Sequence, residues 1–244
     1  MATTMIRGDK VEAYSTVQIW FHKHLIHFML FLIISGLPIF STKFSWMAYI
    51  FGIPVSWLTE AGNSREILSV GIQVARAFHR IIAFLFILTA IPFSIVQLKD
   101  ITKWDILPCD WKPPGAISKS IKDLYICYIG SPWLETPKFC KYNIGQKTFA
   151  WLVIVALIIL TISGFILTFR SSFSPDTWLI ARVLHDVFFV LIITGLVLHV
   201  YLAVHPINRE SLRAMFTTGE VDLEHVRVKH PKWYEQLMEE RTEI

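Results

Sequence analysis

The sequence predicts an all-α membrane protein: a four-transmembrane-helix bundle with both termini cytoplasmic. Three observations predict it. The chain has 244 residues, 54% of them hydrophobic and 14% aromatic, with a mean hydropathy of +0.50, too apolar for an ordinary soluble domain of this length. Four apolar runs are long enough to cross a hydrocarbon core of about 30 Å. Basic residues also alternate in density from one inter-span segment to the next, as they do in multi-pass proteins of the cytoplasmic membrane.

The elements follow in order. Residues 1–16 form a polar tail, and the first span runs over about 17–40. No small-residue cleavage site follows a short apolar core, so this segment reads as a retained span and not a removed signal peptide. The second span covers about 68–98, the third about 148–169 and the fourth about 184–204, and the third has no charged residue from Phe149 through Phe169. The membrane domain is therefore 17–204, with a central loop over 99–147, and residues 205–244 form a second polar tail. Pro108, Pro113, Pro114, Pro132 and Pro137 make the central loop irregular, with room for one short amphipathic helix resting on the membrane face or on a partner.

Charge sets the orientation. Two basic residues in the first tail, eight lysines in the central loop and six basic residues in the second tail make sixteen. The other two inter-span segments hold four, namely Lys43, Arg65, Arg170 and Arg182. Both tails and the central loop should face the cytoplasm. The net charge of +4 follows from that topology, and no basic groove suggests nucleic acid. Cys109, Cys127 and Cys140 all fall in the cytoplasmic loop, at spacings of eighteen and thirteen that match neither an iron-sulfur nor a zinc pattern, so they read as reduced thiols.

The histidines carry the chemistry. His185 and His199 lie fourteen residues apart on the fourth span, nearly four whole turns, so both imidazoles leave the same face, roughly 21 Å apart along the axis. An imidazole inside a membrane needs a partner, and a neutral ring nitrogen is a good axial ligand for haem iron. Depth supplies the second ligands. His79, in the outer half of the second span, can meet His185; a histidine at the cytoplasmic start of the first span can meet His199. The bundle would then enclose two b-type haems, stacked across the bilayer and each bridging the fourth helix to another. His22, His24 and His27 all open the first span, about 140–160° apart from His22 around the axis, and position does not choose among them. Lys23 at the inner site and Arg76, Arg80 and Arg182 at the outer one can pair with haem propionates, though interface snorkelling explains them as well. His205, His225 and His230 read as solvated residues of the tail.

Ser35-Gly36, Ser163-Gly164 and Thr194-Gly195 are small pairs at mid-membrane, where a macrocycle or a neighbouring helix needs close approach. The Ile-Ser-Gly shared by the first and third spans is too short to count as a repeat.

These residues together resemble the gamma subunit of respiratory formate dehydrogenases, a four-span dihaem cytochrome b. His22 with Ser35-Gly36 resembles the family's first-helix motif, Arg76-Ala77-Phe78-His79 its second, and Leu184-His185 with Leu198-His199-Val200-Tyr201 its fourth. Lys141-Tyr142-Asn143-Ile144-Gly145-Gln146-Lys147 matches the run before the third helix, and His230-Pro231-Lys232-Trp233-Tyr234 resembles the tail motif. His79 departs in being followed by Arg80-Ile81-Ile82, where the family commonly has proline and small residues.

The resemblance implies His22 as the first-span ligand, giving pairs His22/His199 and His79/His185. It implies a quinone site at Asn143, Gly145 and Gln146, where side-chain amides can donate to a carbonyl and glycine permits close approach. The carrier would be menaquinone-like or methanophenazine. The expected function is a membrane electron-transfer subunit of a respiratory dehydrogenase. It would take electrons from an extracytoplasmic iron-sulfur subunit and its large catalytic subunit, through two haems, to a quinone near the cytoplasmic face, with no primary substrate site of its own. The rivals are the cytochrome b of a hydrogenase or sulfur-compound oxidoreductase, a stand-alone ferric reductase-type cytochrome b, and a non-redox membrane scaffold or transporter.

Overall fold

The structure is a computed structural model, and it describes residues 6–59, 62–98, 106, 116–130 and 140–242. Most of the central loop, including Cys109, its prolines and Lys99, Lys103, Lys112 and Lys138, lies outside the described residues. Short strands β1 (Ile6–Arg7) and β2 (Lys10–Glu12) precede helix α1 (Thr16–Phe40). A 3-10 turn over Thr42–Ala48 leads into α2 (Tyr49–Thr59), and α3 follows (Ser64–Leu98). The rest is α4 (Ala116–Tyr128), α5 (Ile144–Thr168), α6 (Pro175–Ala203), α7 (Arg209–Phe216), β3 (Glu220–Asp222), α8 (Leu223–Lys229) and α9 (Pro231–Thr242).

Helices α1, α3, α5 and α6 are long and apolar enough to cross a membrane, so the four expected spans are present. Ile81, Phe84, Ile158, Ile162 and Val197 are exposed along them, an apolar surface suited to lipid rather than water. Three spans begin earlier than hydropathy indicates, and polar caps explain why. Asn63 Oδ1 accepts from the Arg65 and Glu66 N–H groups at 3.1 and 3.0 Å, so α3 starts at Ser64. Ser174 Oγ accepts from the Thr177 N–H at 3.2 Å, with Pro175 and Asp176 in the first turn, so α6 starts at Pro175. Asn143 and Gln146 form a reciprocal box: the Gln146 N–H donates to Asn143 Oδ1 and the Asn143 N–H to Gln146 Oε1, each at 2.9 Å. Ser15 and Gln18 do the same at the head of α1.

By its contacts the chain divides into two units, residues 1–19, 97–158 and 188–244, and residues 20–96 and 159–187. In the second unit α2 packs on α3 at glycines. A Cβ on Gly71 would sit on the Ala48 carbonyl oxygen, and one on Gly52 on the Ile67 carbonyl oxygen, so both positions need the missing side chain. Aromatic pairs join α1 to α3: Phe21 stacks on Phe93 at 3.8 Å between centroids, and Phe28 meets Phe86 edge-on at 5.6 Å.

In the first unit the polar tails are folded. Strand β2 pairs antiparallel with both β1 and β3, with Val11 opposite Val221. Val11, Ala214 and Val226 are fully buried in one cluster with Val221, Trp233 and Leu237. His225 and His230, expected to be solvated, are held here. His225 Nδ1 meets a Glu210 carboxylate oxygen at 2.9 Å, and His230 Nδ1 meets the Cys140 carbonyl oxygen at 2.9 Å. Cys140 itself is buried. The amphipathic helix expected inside the central loop is α4, with Ile121, Tyr125 and Ile129 exposed at and just beyond it.

Candidate functional site

The second unit brings His79 and His185 together. Their ring centroids are 6.4 Å apart and their planes 67° apart. With metal–imidazole bonds of about 2 Å and ring nitrogens about 1.1 Å from the centroid, two imidazoles sharing one metal have centroids about 6.2 Å apart. The pair fits an iron held between two histidines. Each ring also has its Nδ1 engaged, His79 at 3.0 Å from Ser35 Oγ and His185 at 2.9 Å from Ser163 Oγ. Every span thus contributes one polar side chain: Ser35 from α1, His79 from α3, Ser163 from α5 and His185 from α6. Gly164 lies against the His185 ring, where a Cβ would make ordinary contact at 3.4 Å from Cε1.

Both serines are almost completely buried, at 0% and 2% exposure. The sequence marks them as small residues where a macrocycle or a neighbouring helix needs close approach. The signal that identifies them is the Ile-Ser-Gly triplet, present at Ile34-Ser35-Gly36 and again at Ile162-Ser163-Gly164. The other small pair behaves differently: Gly195 receives Phe149 and Leu152 of α5, so close helix packing accounts for it.

Of the three histidines that open α1, His22 is half-buried while His24 and His27 are exposed. His24 and His27 bond through Nδ1 to carbonyls of their own helix, Trp20 and Lys23, each at 2.8 Å. His199 lies in the first unit, half-buried, with its ring stacked on Phe149 at 4.7 Å and 10°. Of the basic residues expected at haem propionates, Lys23 is half-buried and Arg76 and Arg80 are exposed. Arg182 is engaged by Asp186 one turn on, at 3.1 Å.

The Asn143–Gln146 box bears on the expected quinone site. Both side-chain oxygens are used in capping α5, and the buried Asn143 amide also donates to Tyr128 Oη at 3.5 Å, so the Gln146 amide N–H is the donor such a site would draw on first. Gly145 lines an apolar cavity of about 390 Å³ within the first unit, together with Leu124 of α4, Phe149 and Leu152 of α5 and Leu198 of α6. Lys141 Nζ sits over the rings of Trp233 and Tyr142, at 5.1 and 5.6 Å from their centroids. The run that leads into α5 and the tail motif at His230–Tyr234 are therefore in contact.

The sequence model of the prokaryotic cytochrome b561 family matches residues 13–218. Among curated proteins, the chain is 31% identical over 99 residues to the formate dehydrogenase cytochrome b556 subunit of Haemophilus influenzae, covering 39% of this chain and 40% of that protein. It is 31% identical over 100 residues to the formate dehydrogenase cytochrome b556(fdo) subunit of Escherichia coli K12, covering 40% of this chain and 46% of the relative. The nitrate-inducible formate dehydrogenase cytochrome b556(Fdn) subunit of the same organism is 25% identical over 100 residues, with 40% and 45% covered. The chain matches less than half the length of each of these relatives.

Proposed function

The chain belongs to the prokaryotic cytochrome b561 family, and from that premise we propose that it is the membrane electron-transfer subunit of a respiratory dehydrogenase of the formate dehydrogenase type. It is a multi-pass protein of the cytoplasmic membrane with a redox role. The observation that carries the reading is the His79–His185 pair, spaced for a shared metal, with both Nδ1 atoms engaged by buried serines. His79 and His185 would hold one haem b, and His22 and His199 would hold a second. Haem b would supply a one-electron couple whose potential depends on the histidines that hold it and on their hydrogen bonds.

The protein's own residues do the rest. Neutral imidazoles ligate, and the apolar spans exclude water around them. The half-buried Lys23 and exposed Arg76 and Arg80 supply cations for propionates near the membrane surfaces, while Arg182 is shared with Asp186. At the start of α5, Asn143 and Gln146 present amide donors to a carbonyl of a menaquinone-like carrier or methanophenazine, and Gly145 permits its approach. The apolar cavity lined by Gly145 and Phe149 suits a lipophilic ring, and Phe149 stacks directly on His199. Both termini and the central loop face the cytoplasm, so the carrier draws its protons from that side. Electrons come from an extracytoplasmic iron-sulfur subunit fed by a large catalytic subunit.

Purification in mild detergent followed by mass spectrometry tests this reading. The expected result is co-purification with an iron-sulfur protein and a large formate dehydrogenase-like subunit, with a b-type reduced-minus-oxidised spectrum. A hydrogenase or sulfur-compound subunit in its place would keep the cytochrome role and replace the donor. Absence of any b-type signal would leave a non-redox scaffold.

A further inference from the structure

We infer that Ser35 and Ser163 are positioning residues that fix the tautomer and the basicity of His79 and His185; the inference rests on reading those histidines as ligands of one haem. The distances assign the hydrogens. Ser35 Oγ lies 2.7 Å from the Phe31 carbonyl oxygen and Ser163 Oγ lies 2.6 Å from that of Ile159, lengths typical of O–H···O bonds. The next carbonyls, of Leu32 and Leu160, are at 3.4 and 3.3 Å. A serine has one hydrogen to donate, and in both cases the carbonyl four residues back receives it. The 3.0 and 2.9 Å contacts to the imidazoles then run the other way: Nδ1–H donates and Oγ accepts.

A consequence follows for the ligands. With its hydrogen on Nδ1, each imidazole presents the lone pair of Nε2, the form a metal takes. Donation from Nδ1–H also makes the ring a stronger electron donor, which favours ferric over ferrous iron and lowers the potential. Burial of both serines removes water as a competitor. The two arrangements repeat each other. Each runs from histidine to serine to a helical carbonyl, with the Leu32 or Leu160 carbonyl also accepting from the ring, and each serine comes from an Ile-Ser-Gly triplet on a span that carries no ligand to this haem.

Potentiometric titration of the purified chain, followed in the visible spectrum, tests the inference. A His199→Ala background isolates the His79/His185 haem, and a His185→Ala background isolates the other. Ser35→Ala and Ser163→Ala should each lower the ferric-to-ferrous ratio of the His79/His185 haem at least threefold at fixed potential, a rise of about 30 mV at ~59 mV per tenfold. The double variant should move it about twice as far, and the other haem should stay unchanged. Loss of the His79/His185 haem alone, with the other retained, also supports the inference. An unchanged potential in both single variants overturns it, as does an equal shift of both haems or the loss of both. Failure of the ligand reading looks different: a His185→Ala protein that still holds both haems defeats that reading whatever the serines do.

Discussion

An imidazole in an apolar helix is stable only when its nitrogens are occupied, and that demand singles out the histidines as candidate ligands in the sequence itself. Spacing alone placed His185 and His199 on one face of α6, and depth alone paired His79 with His185, whose rings lie 6.4 Å apart. The serines were not legible in the same way, because a buried serine bonded to its own helix looks like any small packing residue until a neighbouring helix is in place. Asn143 and Gln146 show a related ambiguity, since the same residues cap α5 and supply the amide donors of the proposed quinone site. A Gln146→Glu substitution separates the two roles. It keeps the oxygen that accepts from the Asn143 N–H and removes the amide donor. Quinone reduction should fall about tenfold in kcat/KM, or ~1.4 kcal/mol, while thermal stability in detergent holds. Unchanged turnover would leave Gln146 as a cap alone.

Hydropathy located the spans but not their ends. The first turns of α3, α5 and α6 are polar, and their starts are set by hydrogen bonds that the side chains of Asn63, Asn143 and Ser174 accept and that no apolar window registers. Helix α2 falls in an inter-span segment and, at eleven residues, is too short to span a bilayer, so hydropathy does not mark it. Its seating on α3 depends on two glycines, and a Gly71→Leu change should separate the helices and cost about 1–3 kcal/mol, read as a lower thermal midpoint in detergent. The strands that join the tails were invisible for another reason. Each has two or three residues, and β2 and β3 are two hundred residues apart in the chain, so neither period nor proximity signals the pairing. Val11, fully buried in that cluster, is its most direct probe. Val11→Ala should cost about 1–3 kcal/mol and expose the tail to limited proteolysis while leaving haem content unchanged.

At the scale of the molecule, two kinds of signal converged. Composition and four apolar runs indicated an all-α membrane protein; the described residues are mostly helical with one small three-stranded sheet, and α1, α3, α5 and α6 are long and apolar enough to cross a membrane. The histidine pattern and the runs at Lys141–Lys147 and His230–Tyr234 indicated a cytochrome, and the chain belongs to the prokaryotic cytochrome b561 family. The contact of Lys141 with Trp233 joins two motifs that the sequence could only place ninety residues apart. On the proposed function, four imidazoles hold two haems in fixed pairs. Haem content per chain in paired substitutions measures it most directly. The wild type should hold two haems b, and His79→Ala combined with His185→Ala should leave one. His79→Ala combined with His199→Ala should leave none. Retention of a haem in the cross-pair variant, or loss of both in the same-pair variant, would contradict the account.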